Sequence, residues 1–148
     1  MNVVIAGGTG FVGRHLSASL QAGGHEVIAL SRGSAASEPK PGARIVQWDP
    51  RSETGEWLAL IGRADAVVNL AGSSIGSGRW TPRRMDEILR SRLEATGALL
   101  RAIRQAPPEH RPAVLVSASG IDYYGDRGEE VVTEASGPGD SFLAGVCK

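Results

Sequence analysis

The fold is decided by the stretch Val3-Val4-Ile5-Ala6-Gly7-Gly8-Thr9-Gly10-Phe11-Val12-Gly13. Its first four residues are apolar and mostly β-branched, which is typical of a strand buried on both faces. Glycines at three-residue spacing then lead into a helical pattern, whose predicted inner face is formed by Val12, Leu16 and Leu20. A strand, a glycine turn and a helix in this order predict a βα unit that binds a dinucleotide, with a tight turn that holds no ligand as the alternative.

Three glycines have a physical role in such a unit. Gly7 lets the chain turn out of the strand, Gly10 lets the backbone approach a pyrophosphate, and Gly13 lets helix and strand pack closely. The N-terminus of the helix, at Phe11 and Val12, offers free N–H groups and a partial positive charge to the phosphates. We therefore expect this glycine loop to hold the diphosphate of the cofactor.

Length, charge and cysteine content limit the classes of protein to which the chain can belong. A chain of 148 residues suits one domain with a substantial core. Lys and Arg number 16, as do Asp and Glu, so no basic field favours nucleic acid or an anionic membrane as a partner. The single cysteine, Cys147, excludes an internal disulfide framework and suits a reducing compartment. Since no apolar run is long enough to span a bilayer and the first strand begins almost at Met1, we expect a soluble, cytoplasmic protein.

The rest of the chain alternates between strand and helix patterns. Strands are predicted at residues 3–6, 26–30, 44–48, 65–70 and 113–117, and helices after the glycine turn, at 57–61, from Thr81-Pro82 to about residue 104, and from Phe142. This alternation predicts an α/β fold: a Rossmann-type, doubly wound parallel sheet with strand order 3-2-1-4-5. The long helix is predicted to face inward with Met85, Ile88, Leu89, Thr96, Leu99, Leu100 and Ile103.

The end of the second predicted strand indicates which dinucleotide binds. An Asp or Glu there favours NAD and an Arg favours NADP; this chain has Ser31-Arg32, and its next carboxylate is Glu38. A hydroxyl beside a guanidinium is a credible phosphate clamp, so NADP is favoured over the alternative that Arg32 is a solvated loop residue. Asp49, after the third strand, is predicted either to accept the adenine amino group or to form a turn before Pro50.

Arg92 is the most informative single charge. Its spacing from Ile88 and to Thr96 places it on the inward stripe of the long helix, where a guanidinium needs an anion or several acceptors. One interpretation is a contact with cofactor phosphate or ribose, or with an anionic substrate. The other is a salt bridge, or a side chain that extends out to solvent.

These features together resemble the extended (atypical) short-chain dehydrogenase/reductase superfamily of NAD(P)-dependent epimerases and dehydratases. Within it, the sequence is similar to the epimerase family 39U-type subgroup, also described as cell-division-inhibitor-like sugar epimerases. The resemblance is carried by residues 67–72, 79–81, 91–96, 117–119, 123–128 and 142–147. It implies NADP bound by the glycine loop, Ser31, Arg32, Leu70, Ala71, Gly72, Glu87 and Arg92. Family members are longer and carry a C-terminal substrate-binding portion, so we expect residues 1–148 to be the N-terminal NADP-binding Rossmann domain of a longer protein.

The sequence departs from the superfamily where the chemistry is expected. Working members carry Tyr-x-x-x-Lys after the fifth strand, with a Ser or Thr and an Asn in support. Those four positions fall on Leu143, Cys147, Gly120 and Arg92. A shift of one residue would restore Ser119, and Tyr123 or Tyr124 could supply a phenol, but no shift places a lysine four residues after a tyrosine. Since the histidines lie apart from Cys147, no metal site is predicted, and the catalytic residues stay unassigned.

Three functions remain open from the sequence. The first is an NADP-dependent oxidoreductase or epimerase that acts on a nucleotide sugar or another small polar substrate by unconventional proton transfer. The second is an NADP(H)-binding redox sensor or regulatory protein without turnover, which the missing dyad favours. The third is a Rossmann-like domain that binds nothing. The superfamily commonly dimerises through the long helix and its successor, so a homodimer is an expected assembly.

Overall fold

The structure, a computed structural model, describes residues 1–33 and 43–148. They divide into two compact units, residues 1–117 and residues 118–148. The expectation of one domain over residues 1–148 stays a prediction, and Glu38 lies outside the described residues.

Five strands form one parallel sheet in the first unit. They are β1 (Asn2–Ala6), β2 (Glu26–Ser31), β3 (Arg44–Gln47), β4 (Ala66–Asn69) and β5 (Val114–Ser117). Their order is β3-β2-β1-β4-β5 and every neighbouring pair is parallel, which confirms the predicted Rossmann-type sheet. The central strand is β1, in which residues 3–6 are at most 4% exposed, as expected for a strand covered on both faces.

Helices α2 (Glu56–Ile61) and α3 (Pro82–Gln105) pack on one face of the sheet. The long helix α3 begins where the Thr-Pro pair predicted, because Thr81 Oγ1 caps it by accepting a hydrogen bond from the Arg84 N–H over 3.2 Å. Its buried residues are Ile88, Ala95, Ala98, Leu99 and Ala102. The predicted inward position of Leu100 is wrong, since this side chain is 36% exposed. Three alanines lie on the inward face instead. A prediction that assigns mainly large apolar residues to this face misses them.

Within the described ranges, no helix is both long enough and apolar enough to cross a membrane.

Helix α1 (Phe11–Ala22) packs on the opposite face. Leu16 and Leu20 contact the buried cluster of Val3, Ile5 and Val27, as predicted. The predicted inward position of Val12 is wrong, because Val12 is 59% exposed. Gly13 is the residue turned toward the Gly7–Gly8 turn after β1, and Val12, about 100° away around the helix, points outward.

The second unit, residues 118–148, is held by its own hydrogen bonds. It contains a 3₁₀ turn, Ile121–Tyr124, and helix α4, Phe142–Cys147. Arg127 joins two parts of the intervening loop, donating to the carbonyl oxygens of Tyr124 (3.0 Å) and Gly137 (2.8 Å). Ser141 caps α4 by accepting the Ala144 N–H over 3.1 Å.

Gly13→Ala tests the contact between α1 and the glycine turn. A Cβ at Gly13 would lie 2.5 Å from the Gly7 carbonyl oxygen and 2.6 Å from Gly8 Cα, so we expect a loss of about 2 kcal/mol or more in the free energy of unfolding. Urea unfolding followed by tryptophan fluorescence measures it, since all three tryptophans lie in residues 1–117.

Gly97→Ala is the matched control. A Cβ there meets only the flexible end of Arg101, at 3.3 Å, and should stabilise α3 by up to about 1 kcal/mol. Equal stability of the Gly13→Ala variant and the wild type would contradict the close packing of α1 on β1.

Candidate functional site

A cavity of about 680 Å³ lies at the carboxyl edge of the sheet. Its walls come from the residues that end or follow β1, β2, β3 and β4 and from the N-terminal half of α3. Open α/β sheets bind ligands at this edge, and the volume is typical of ligand sites. Eight predicted cofactor residues line it: Gly7, Gly10, Ser31, Arg32, Leu70, Ala71, Gly72 and Glu87.

The turn after β1 shapes the floor of the cavity. Gly7 has a φ of +76°, which a residue with a side chain rarely adopts, and a Cβ there would lie 2.9 Å from the Leu70 carbonyl oxygen. The Gly7 N–H donates to the Leu30 carbonyl oxygen over 3.0 Å. Gly10 caps α1 in an extended conformation without a side-chain hydrogen bond, so the first N–H groups of the helix, from Phe11 to Gly13, are left for solvent or a ligand.

Gly8 is a residue that the sequence analysis missed. A Cβ at Gly8 would lie 2.6 Å from the Cβ of Ala29 on β2, a distance that side chains do not tolerate. The only signal in the sequence is a second glycine directly after Gly7. Its role becomes visible only when β2 is known to lie beneath the turn.

Ser31 and Arg32 form the wall at the end of β2. The Ser31 Oγ accepts hydrogen bonds from Thr9 Oγ1 (3.2 Å) and from the Gly33 N–H (3.3 Å). Its own proton is therefore left to donate to another acceptor. Arg32 is exposed and makes no hydrogen bond or ion pair with any residue that the structure describes.

Asn69 holds the end of β4 in place, a role that the sequence analysis did not assign. It is 5% exposed, and its amide nitrogen donates to Thr96 Oγ1 on α3 (3.0 Å) and to Ser117 Oγ on β5 (3.3 Å). Its amide oxygen accepts the Ala71 N–H over 3.2 Å. The three residues that follow Asn69 and line the cavity are thereby fixed to two neighbouring elements.

Glu87 lies on the cavity with its carboxylate held by two neighbours. One oxygen accepts from Ser73 Oγ and the other from Arg84 Nη1, each over 2.8 Å. The Ser73 hydrogen bond first, and then that of Arg84, hold the pKa of the Glu87 carboxyl below its usual value, with a further contribution from the charge of Arg32. Arg84 also donates to the Ser74 carbonyl oxygen and to Ser77 Oγ, so the loop after β4 is tied to α3.

Arg92 does not line the cavity. Its Nη1 donates to the carbonyl oxygens of Ser73 (3.1 Å) and Ile88 (3.0 Å), and its guanidinium covers Gly72, where a Cβ would lie 2.9 Å from Arg92 Cζ. The predicted need for acceptors is therefore met by backbone carbonyl groups. Its contact with the cofactor stays a prediction.

Asp49 takes the geometry of a turn residue. Its Oδ1 accepts the Arg51 N–H over 2.9 Å, and its carbonyl oxygen accepts the Ser52 N–H over 3.0 Å. This arrangement is an Asx turn, one of the two alternatives that the sequence left open. Asp49 is absent from the cavity lining, whereas its neighbours Trp48, Pro50 and Arg51 line it.

Gly120 and Cys147, on which the resemblance predicts two of the superfamily's catalytic positions to fall, lie close together in the second unit. A Cβ at Gly120 would be 4.0 Å from the Sγ of Cys147, which is half-buried on α4. Tyr123 and Tyr124 pack edge to face with ring centres 5.1 Å apart. Among the described residues, no three His, Cys, Asp or Glu side chains are grouped as a metal site requires.

Comparison with known proteins identifies the family. The family model "NAD dependent epimerase/dehydratase family" matches residues 3–141. The chain belongs to this family. The predicted resemblance to the 39U-type subgroup is confirmed by its relatives in the epimerase/dehydratase family. The chain is 38% identical over 148 residues to the Arabidopsis thaliana chloroplastic epimerase family protein SDR39U1 homolog, covering 100% of this chain and 42% of the relative. It is 39% identical over 145 residues to Bacillus subtilis epimerase family protein YfhF, covering 97% and 46%.

Solved structures of epimerase/dehydratase relatives agree with this fold. Human epimerase family protein SDR39U1 (isoform 2), solved with NADPH, has a TM-score of 0.78 and 36% identity and matches over 99% of this chain and 46% of its own. MoeE5, solved with UDP-glucose and NAD, has a TM-score of 0.77 and 26% identity over 99% and 45%. This chain therefore spans less than half the length of the relatives it matches.

Ser73→Ala tests the hydrogen bonds around Glu87. Loss of the hydroxyl should move the pKa of Glu87 back up toward its ordinary value, because the Ser73 hydrogen bond is the largest cause of its depression. Carbon-13 NMR of the labelled Glu carboxyl groups across acidic pH follows the change. Ser74→Ala is the control, since Ser74 contributes only its backbone carbonyl to this cluster. An unaltered Glu87 pKa in the Ser73→Ala variant would contradict the hydrogen bond.

Proposed function

We propose that this chain binds NADP(H) in the cavity at the carboxyl edge of its sheet. The observation that carries the proposal is the wall at the end of β2, where Ser31 and Arg32 line the cavity with hydrogen-bond donors that the described residues leave unused. An arginine at this position suits the phosphate on the adenosine ribose, whereas a carboxylate would suit the free ribose hydroxyl of NAD. The NADPH in the human relative supports the same choice.

The residues around the cavity fit the remaining parts of such a ligand. The uncapped N-terminus of α1 and the close turn at Gly7 suit a diphosphate. Leu70 and Ala71 lie directly beside that turn, and together with Gly72 they line the cavity and would hold the portion of the cofactor beyond the turn. The bound nicotinamide would supply hydride chemistry, while the residues of this chain bind and orient it.

We further propose that the complete protein is an oxidoreductase or epimerase for a nucleotide sugar or another small polar substrate. Membership of the epimerase/dehydratase family supports this, as does the likeness to MoeE5, which was solved with UDP-glucose and NAD.

An NADP(H)-binding regulatory protein without turnover is the second candidate. The observation that favours it is the proximity of Gly120 and Cys147, at the positions where the sequence resemblance predicts a hydroxyl and an amine. Neither residue can orient a substrate oxygen or lower the pKa of a tyrosine as those groups do.

Arg32→Ala tests cofactor binding. Loss of charge-assisted hydrogen bonds to the ribose phosphate should weaken NADPH binding by roughly 10- to 100-fold and leave NADH binding within about twofold. Calorimetry or NADPH fluorescence with the full chain measures both constants. The control is Arg101→Ala, since Arg101 is an exposed arginine of α3 off the cavity. Equal losses for NADPH and NADH would overturn the role of Arg32.

Hydride transfer distinguishes the two candidate functions. The complete protein is incubated with NADPH deuterated at C4 and carbonyl compounds, and separately with NADP⁺ and nucleotide sugars. A reductase should transfer deuterium to a carbonyl compound, and an epimerase should convert a nucleotide sugar into its epimer; mass spectrometry and NMR detect these products, and Arg32→Ala should reduce either reaction at low cofactor concentration. Tight cofactor binding with neither product would favour the regulatory protein.

A further inference from the structure

Arg51 lies at the same end of the cavity as Ser31 and Arg32. Strands β2 and β3 run side by side with Ser31 opposite Gln47, and the Trp48 N–H donates to the Ser31 carbonyl oxygen over 2.8 Å. The chain after β3 therefore continues beside the chain after β2. Arg32 and Arg51 both line the cavity there.

Two contacts determine where the Arg51 side chain lies. Its backbone N–H donates to Asp49 Oδ1 in the Asx turn (2.9 Å), and its Nε donates to Oε2 of Glu94 on α3 (3.0 Å). The side chain is 73% exposed, so this ion pair adds little stability. Its effect is to bridge the end of β3 to α3 and to fix the direction of the guanidinium.

The outer nitrogens of Arg51 are unused. Nη1 and Nη2 make no hydrogen bond with any residue in the described ranges. Arg84, by contrast, spends both of its outer nitrogens on Ser73, Ser74, Ser77 and Glu87. A guanidinium that is anchored at Nε and free at both Nη atoms presents a fork of donors, the geometry that recognises phosphate oxygens.

We propose that Arg51 is a second specificity-determining residue for the phosphate on the adenosine ribose of NADP(H), acting together with Arg32. The inference rests on the proposed binding of NADP(H). A phosphate monoester carries about two negative charges at neutral pH, and the two guanidinium groups would supply hydrogen-bond donors to it from the ends of two adjacent strands. Asp49 and Glu94 are positioning residues in this arrangement, so Asp49 acts on the adenosine end through Arg51.

The test uses two fragments that differ only in the ribose phosphate, 2′,5′-ADP and 5′-AMP. We expect Arg51→Ala to weaken binding of 2′,5′-ADP to the full chain by roughly tenfold or more and to change 5′-AMP binding by less than about twofold. Arg51→Lys, which keeps the charge but loses the fork, should lie between the wild type and Arg51→Ala. Arg44→Ala is the matched control, because Arg44 also pairs with a glutamate, Glu56, and lies off the cavity; it should alter neither constant.

The outcomes separate this inference from the proposed function. If the wild-type chain does not prefer 2′,5′-ADP over 5′-AMP, NADP(H) binding itself fails. If Arg32→Ala removes the preference and Arg51→Ala does not, only the role of Arg51 fails. Arg90→Ala removes another guanidinium of the same cavity, bonded to Asp86. If Arg90→Ala weakens 2′,5′-ADP binding selectively and as strongly as Arg51→Ala does, the preference arises from the general positive charge of the cavity. That result would overturn a specific contact by Arg51.

Discussion

Contact between two backbones, at Gly13 and at the Gly7–Gly8 turn, is the constraint on which the cavity depends. The first turn of α1 approaches the glycine turn after β1 so closely that no side-chain atom fits between them. The same turn is bonded to the end of β2 through the Gly7 N–H and the Leu30 carbonyl oxygen. The helix N-terminus and the wall formed by Ser31 and Arg32 are consequently fixed to one another by a few backbone atoms. A flexible connection would leave both groups free to move and would lower the affinity for a charged ligand, because ordering them on binding costs entropy.

The arginines around the site fall into two groups with different roles. Arg84 and Arg92 give their hydrogen bonds to carbonyl oxygens and side chains of the loop after β4 and of α3. They stabilise the shape of the site, Arg84 with both of its outer nitrogens and Arg92 through Nη1. Arg32 and Arg51 retain free donors at the cavity. The two groups are not distinguished by their position in the sequence. They are distinguished by whether the guanidinium donates to backbone carbonyl oxygens, as it does in Arg84 and Arg92.

Much of the fold follows from the sequence, for identifiable reasons. Apolar runs predict the strands, and the regular alternation with helices leaves the order 3-2-1-4-5 as the natural arrangement, since crossovers are right-handed. The glycine turn is equally predictable because it depends only on residues that are adjacent in the sequence. The need for a glycine at position 8 is not predictable from the sequence, since it depends on the proximity of Ala29 on the neighbouring strand. Nor does periodicity foresee that small alanines, and not Leu100, occupy the inner face of α3.

The site is less predictable than the fold for the same physical reason. Arg92 is predicted on the inner side of α3, but which acceptors it meets depends on the path of a loop that no pattern encodes. Asp49 has two interpretations that use the same carboxylate oxygens, and the turn follows only from the hydrogen bond that it accepts from the Arg51 N–H. Pairing between distant side chains, such as Asn69 with Thr96 and Ser117, leaves no periodic trace in the sequence.

The amide of Asn69 has a mechanical consequence for the cavity. One planar group joins β4, α3 and β5 and also holds the Ala71 N–H. The amide therefore joins the edge strand β5 to the backbone that borders the cavity, in addition to the backbone pairing of β4 with β5. Displacement of that backbone has to break a hydrogen bond to the Asn69 amide, which resists movement of the cavity wall next to β4.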